Sequence, residues 1–308
     1  MAASNECLTC NLCDQPGHFS DAPEKQSVPS NVRAFSADRF TVWRCSHCRS
    51  LHCKEAADLD HYYSRYLLES QKLDYFQWCI LGNRLGMLRR RGLRKSDRIL
   101  DYGCGANGLF VQFLRQRGYD AYGYDPFARK FSDASVLSRR FEVVTSFDVI
   151  EHDDRPREFF ARLVDLLVPG GLLFVGTPRA DGIDLQKPWM LSLHQPYHRH
   201  ILSEEVLLDM GHQAGLELVD LHHRWVADTP FPAVNNRFMI EYVGKSGHVL
   251  DALTDPPQVG KVLLSPTLLF FAVFGYLFPP SDAMGAFFRK PGAEAIPMGV
   301  PVAQATTG

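Results

Sequence analysis

The apolar pattern of the chain changes twice along its length. Residues 1–57 show little periodicity, apart from the run Phe40–Trp43, which reads as a short strand. Asp21–Ser30 is polar, holds two prolines and reads as a loop. Residues 58–95 place Tyr62, Tyr66, Leu73, Phe76, Ile80 and Leu88 at roughly helical spacing. From Ile99 onward, strand and helix signals alternate. Strands are predicted at Ile99–Tyr102, Tyr119–Tyr124, Phe141–Ile150, Leu172–Gly176, Leu216–Leu221 and Ala283–Arg289. Helices are predicted at Leu109–Arg117, stopping at Gly118, and at Arg157–Leu167, stopping at Pro169-Gly170-Gly171. Another is predicted at Ser203–Gly215, with Ser203 as its N-cap. This alternation predicts an α/β fold, a mostly parallel sheet with helices on both faces.

Composition sets limits. The 308 residues are 45% hydrophobic and 22% charged, which excludes a disordered or fibrous chain. The net charge is −2, so no global field attracts a polyanion and no nucleic-acid partner is expected. The N-terminus has no basic start followed by an apolar run, so a cytoplasmic protein is expected. The basic run Arg89–Arg98 reads as the solvated end of a helix.

The string Ile99–Gly108 (ILDYGCGANG) closes a strand and opens a helix. Gly103, Gly105 and Gly108 fit G-x-G-x-x-G, which lets a ligand lie against bare backbone. Asp125, at the end of the next strand, suits a ribose diol. Asp101, just ahead of the first glycine, is awkward for a pyrophosphate but suits a ligand bearing an ammonium group.

With FDVIEH (Phe147–His152) and LLVPGGLLFVGTP (Leu166–Pro178) following in order, the chain resembles class I S-adenosylmethionine (SAM) dependent methyltransferases. Within them it is most similar to the ubiquinone-type O-methyltransferases. The resemblance covers about Leu81–Leu221 and implies a Rossmann-like fold. It also implies SAM contacts from Asp101, Gly103, Cys104, Gly105, Gly108, Asp125, Phe147, Asp148 and Val149. The stretch between Asp125 and Phe141 is short, so the usual third strand is expected to be absent or reduced.

Cys7, Cys10, Cys13, Cys45, Cys48 and Cys53 account for six of the eight cysteines. Cys10-x-x-Cys13 and Cys45-x-x-Cys48 have the spacing of a closed four-thiolate zinc site. Cys7 or Cys53 replacing a ligand, or His47 or His52 joining, are the looser choices. The segment CNLCDQPGHF resembles the opening of zinc ribbons that precede some methyltransferases, including certain sugar C-methyltransferases. A structural zinc that shapes the substrate side is therefore expected.

Methyl transfer to a hydroxyl or an acidic carbon benefits from a base near pH 7, and histidine is the natural choice. His198, within Ser192–Ser203 (SLHQPYHRHILS), is one candidate, and Glu151 with His152 is the other. Asp148, Glu151 and His152 form a D-x-x-E-H set that in the similar family is linked to a divalent ion, so such an ion is a candidate cofactor here. Trp189, Trp225, Phe231 and Phe238 fall where an acceptor pocket is usually walled. Val262–Phe278 runs 17 residues without a charge, about 26 Å as a helix and too short to span a bilayer core. It reads as a buried helix, a dimer face or a segment dipping into a membrane surface.

The expected layout is a zinc ribbon over 1–57, a helical connector over 58–98, a catalytic domain over 99–290 with an apolar helical insertion at about 245–280, and a loose tail over 291–308. The expected function is methyl transfer from SAM to an oxygen or carbon nucleophile of a small, lipid-like or sugar acceptor. An RNA-base methyltransferase and a non-catalytic zinc-binding module are the alternatives. Oligomeric state is left open.

Overall fold

The computed structural model describes residues 6–15, 17–63, 72–187 and 190–292. Tyr66, Trp189 and all but the first two residues of the expected tail lie outside them. The N-terminal part builds β1 (Lys25–Pro29), β2 (Arg39–Arg44) and β3 (Leu51–Cys53), all antiparallel. Two helices follow, α1 (Leu59–Tyr63) and α2 (Tyr75–Arg90). The order is then β4 (Arg98–Tyr102), α3 (Leu109–Gln116), β5 (Asp120–Tyr124), β6 (Phe141–Phe147), α4 (Pro156–Asp165) and β7 (Leu167–Pro178). After β8 (His200–Ile201) come α5 (Glu204–Gln213), β9 (Glu217–His222), α6 (Asn236–Gly244), α7 (Val259–Leu263), α8 (Pro266–Phe274) and β10 (Ala283–Arg289).

The main sheet has the order β5-β4-β6-β7-β10-β9. Only β10 runs antiparallel, pairing β7 on one side and β9 on the other. Strand side chains alternate between faces, and the two faces bury different helices. Leu100, Val144, Leu173, Val175 and Phe288 pack with Phe159, Phe160 and Leu163 of α4 and Val206, Leu207 and Met210 of α5. Ile99, Val143, Leu172, Phe174 and Phe287 pack with Leu81, Leu85 and Leu88 of α2 and Phe110, Phe113 and Leu114 of α3. Each such large apolar side chain contributes about 1.5–3 kcal/mol when fully buried. Between Asp125 and Phe141 there is a short 3-10 turn, Ala134–Ser138, and no strand, so the sheet ends at β5.

Four local expectations change. Asp21–Ser30, read as a loop, carries β1, and the strand expected over Phe141–Ile150 ends at Phe147, with Ile150–His152 in a 3-10 turn. The α4 helix stops at Asp165, and Pro169-Gly170-Gly171 lies inside β7. Gly170 there takes φ +79° and its N–H donates to Lys290 O, so the glycines bend a strand edge and do not cap a helix. The 17-residue apolar run is also not one helix. Pro266 lacks an amide donor and sits at the start of α8, where Ser265 accepts from Leu268 N. The run therefore splits into the end of α7 and the short α8.

The N-terminal part shares the catalytic core. β3 pairs with β8, so the small sheet reads β1-β2-β3-β8 and its last strand comes from residues 200–201. Cys10, Leu12, Trp43, Cys45 and Cys48 belong to the same apolar cluster as α4 and α5. Arg44, almost fully buried, donates to Ala180 O at 3.0 Å and Ile183 O at 2.8 Å.

At the other end, α6, α7 and α8 form a cap around Phe238, Tyr242, Ala252 and Leu268. Leu268 is the one fully buried residue of α8. Leu263, Leu264, Leu269, Phe270, Val273, Phe274, Leu277 and Phe278 are exposed, which overturns the buried-helix option. No helix among the described residues is long and apolar enough to cross a membrane.

Candidate active site

The residues of the glycine string converge at the C-terminal ends of β4, β5 and β6, where ligands of open parallel sheets bind. Gly103, Gly105 and Gly108 all take positive φ (+78°, +70° and +53°). At Gly103 a Cβ would stand 2.3 Å from Val149 Cγ2, and at Gly108 2.4 Å from Phe131 Cζ. At Gly105 a Cβ would meet nothing within 4 Å, so its exposed face is open space. Gly105 N–H donates to Asp125 Oδ2 at 2.9 Å, and Phe127 N–H donates to Oδ1 at 2.9 Å, which fixes that carboxylate. Cys104 is half-buried, and burial pushes its thiol up.

Asp101 is buried, and Thr145 Oγ1 donates to its Oδ1 at 2.9 Å. Burial raises its carboxyl to about 6, with Arg84 opposing. Asp148 takes φ +54°, and both its oxygens accept from Trp225 Nε1, at 3.1 and 3.0 Å. Burial raises this carboxyl too, opposed by Arg84 and by the indole. Arg84 of α2 thus faces both carboxylates, with its guanidinium 4.2 Å above the Phe147 ring. Its Nε is buried with no hydrogen-bond partner among the described residues. The sequence reading missed Arg84, although it stands on the stripe of Leu81, Leu85 and Leu88, where a cation is out of place.

Glu151, His152 and His198 form a second group. Glu151 is 0% exposed, and its Oε2 accepts from Thr177 Oγ1 at 2.9 Å. Its Oε1 has no hydrogen-bond partner among the described residues and lies 3.9 Å from His198 Nε2. Burial, with Asp148 nearby, raises the Glu151 carboxyl well above its ordinary range. His198 Nδ1 donates to Ser192 O at 2.8 Å, which leaves Nε2 as the lone pair. Burial lowers this imidazole to about 4. His152 Nδ1 lies 3.2 Å from Tyr63 OH, and its ring meets His198 edge-on at 4.9 Å. Tyr63 of α1 also stacks on Phe127, two residues past Asp125. The candidate ion set of Asp148, Glu151 and His152 is corrected in one member. Asp148 turns to Trp225 and Arg84, and His198 takes its place.

The four expected thiols, Cys10, Cys13, Cys45 and Cys48, also converge. Sγ–Sγ distances are 3.7 Å for Cys10–Cys13 and Cys10–Cys48 and 3.9 Å for Cys13–Cys45. Ligands about 2.3 Å from a tetrahedral zinc stand about 3.8 Å apart, so the thiols have the spacing of a zinc cage.

A family model described as a methyltransferase domain matches residues 75–221. Residues 75–221 form a class I SAM-dependent methyltransferase domain. The chain is 27% identical to a ubiquinone biosynthesis O-methyltransferase of Roseobacter denitrificans, over 65% of this chain and 86% of that one. It is 28% identical to the enzyme of the same description from Ruegeria pomeroyi, over 50% and 74%. Among solved structures it is similar to a SAM-dependent methyltransferase from Archaeoglobus fulgidus, with 15% identity, TM-score 0.43, and 74% and 100% coverage. In this methyltransferase the glycine loop and the carboxylates Asp101 and Asp125 lie together at the ends of β4 and β5. Phe231 is exposed, and Phe238 packs inside the helical cap.

Proposed function

We propose that this methyltransferase carries the methyl group of SAM to a hydroxyl oxygen of a small, apolar, lipid-like acceptor. The observation that carries the reading is His198, whose Nε2 lone pair is left facing the orphan Oε1 of buried Glu151.

On this reading the amino-acid end of SAM lies between Asp101, which takes its ammonium, and Arg84, which takes its carboxylate. Gly103 and Gly105 let the chain pass close, and Gly108 opens α3. Asp125 takes the ribose hydroxyls, and the exposed ring of Phe127 offers a surface to the adenine. Phe147, Asp148 and Val149 form the floor beside the methyl group. The donor is already activated, so alignment supplies most of the rate. His198 Nε2 accepts the acceptor's proton, and Glu151 faces the imidazolium that forms. His152 is a positioning residue that holds Tyr63 over the cofactor side. Glu151, His152 and His198 also have the donor set for a divalent ion; bound there it would take the His198 lone pair, and would acidify an acceptor hydroxyl in place of the histidine base.

A zinc ion in the cage of Cys10, Cys13, Cys45 and Cys48 would be structural. Four thiols packed this closely cannot all lose their protons without a cation among them, and Cys48 already holds Cys10 far above the ordinary thiol range. The exposed apolar face of α7 and α8 would rest in a membrane surface, where an apolar acceptor is found.

The test supplies labelled SAM with either a lipid extract or an aqueous metabolite extract. Label in a lipid-phase product, lost in His198→Ala, supports the reading. Label confined to aqueous products overturns it. Cosedimentation with phospholipid vesicles, lost on replacing Phe270, Phe274 and Leu277 with serine, tests the surface contact.

A further inference from the structure

The four-thiol cage does not use all the metal-binding chemistry at the N-terminus. Cys7 lies three residues before Cys10 and joins a different group, with His52 and His200. One ligand atom from each of these three lies within 4.8 Å of the other two. His52 and His200 are register partners across β3 and β8, and their Nδ1 atoms face each other at 2.8 Å. Both rings are buried. His52 lies against Trp43 at 4.6 Å, and its Nε2 is buried with no hydrogen-bond partner among the described residues. Cys7 is half-exposed, and its backbone is fixed at both polar groups. Its N–H donates to Lys54 O at 2.8 Å, and its carbonyl accepts from Trp43 Nε1 at 3.0 Å.

We propose that Cys7, His52 and His200 form a second metal site that takes one zinc-type cation, separate from the four-thiol cage, with a coordination position left open beside Cys7.

The chemistry fits at each ligand. One thiolate and two imidazoles suit a borderline-soft divalent ion. His200 also hydrogen-bonds the Asp154 backbone. Its Nδ1 faces His52, so that bond falls to Nε2–H and leaves Nδ1 as a lone pair. A backbone carbonyl commonly orients a metal-bound histidine in this way. Two nitrogens about 2.05 Å from a tetrahedral ion stand about 3.3 Å apart, so the rings need to part by only about half an ångström. The ion takes the place between the two Nδ1 atoms: the proton they share moves to His52 Nε2, and the Cys7 thiol proton leaves to solvent. Burial pushes the Cys7 thiol up, with the Arg199 charge opposing, so the thiol gives up its proton only as the metal binds; Arg199 is itself met by Asp154 at 3.2 Å. Three protein ligands leave one position open, on the side where Cys7 reaches solvent. An ion here ties β8, and with it the His198 loop, to β3.

The test counts zinc per chain in the full-length protein, equilibrated with excess zinc, desalted and measured by plasma mass spectrometry. With Glu151→Gln in every sample to disarm the Glu151–His152–His198 set, two zinc ions are expected in the parent, and one in each of Cys7→Ser and His200→Gln, with unchanged circular dichroism. If His200→Gln fails to fold, Cys7→Ser at the half-exposed rim carries the test. A parent with one zinc that Cys7→Ser retains overturns the proposal, as do two zinc ions in every variant. One zinc that Cys7→Ser loses and Cys10→Ser keeps would uphold this site and overturn the four-thiol reading instead.

Discussion

Trp225 donates its indole N–H to both carboxylate oxygens of Asp148, at 3.1 and 3.0 Å. The bond holds a half-buried carboxylate at a left-handed backbone position, on the loop that leads from β6 to Glu151. Hydrogen bonds to a charged group contribute about 1.5–3 kcal/mol. Trp225→Phe keeps the ring and removes the donor. The Asp148 carboxyl then rises further, so activity that needs its charge moves to higher pH. The pH profile of kcat/KM should shift upward, with a loss of roughly tenfold or more at pH 7.

Asp101 should trade stability for binding. Burial holds its folded carboxyl at about 6, above the ordinary carboxylate range. A raised acid favours the protonated folded state, so folding loses stability as pH climbs from about 4 through 6. Asp101→Asn should stabilise the ligand-free protein at pH 7 by on the order of 2–3 kcal/mol, read as a higher Tm. The same change removes the partner of the ammonium group. SAM affinity by calorimetry should fall by roughly 10- to 100-fold, and in the parent it should weaken as pH drops below about 6.

Gly105→Ala and Gly103→Ala should differ. Both positions have positive φ, at a cost to alanine of about 1–2 kcal/mol. Only Gly103 would also drive a Cβ into Val149. Gly105→Ala is expected to fold and lose SAM binding, because its Cβ enters the ligand's space. Gly103→Ala is expected to lose a further few degrees of Tm. Melting curves with and without SAM separate the two.

His198→Ala should lower kcat by about 10²–10⁴-fold and leave SAM affinity unchanged, since its nitrogen faces Glu151 and not the glycine loop. His152→Ala should cost less and act through Tyr63. Tyr63→Phe should reproduce that effect, which comparison of kcat for the three variants checks.

Removal of metal should be felt throughout the fold. Cys10, Leu12 and Trp43 share a cluster with α4 and α5, so the ribbon cannot melt alone. A strong chelator should lower a single cooperative transition, monitored by circular dichroism, and should not split it in two.

Much of this arrangement was readable from sequence because local signals there agree with the fold. Ser203 caps α5 through Val206 N, and the last strand runs from Ala283 to Arg289 as the pattern predicts. The glycine string and Asp125 meet because strand, turn and helix follow directly upon one another. The missing strand before Phe141 follows from a segment too short to hold it. β8 was not legible, since two residues carry no period, and its partner β3 lies about 150 positions earlier in the chain. The site role of Arg84 was hidden in an ordinary helical stripe, and its meaning depends on two distant aspartates. The break at Pro266 was visible as a residue but not as a change in exposure, because apolar content alone does not say which neighbours arrive.

The strand shared between β3 and β8 has a consequence for how the polypeptide can be divided. A shortened product beginning at α2 would not be a smaller enzyme lacking an ornament. It would be missing Tyr63, the partner of His152, and β3, the strand that pairs with β8, so the stretch from Ser192 to Ser203 would lose its anchor. The two halves of this molecule therefore have to be made, folded and inherited together.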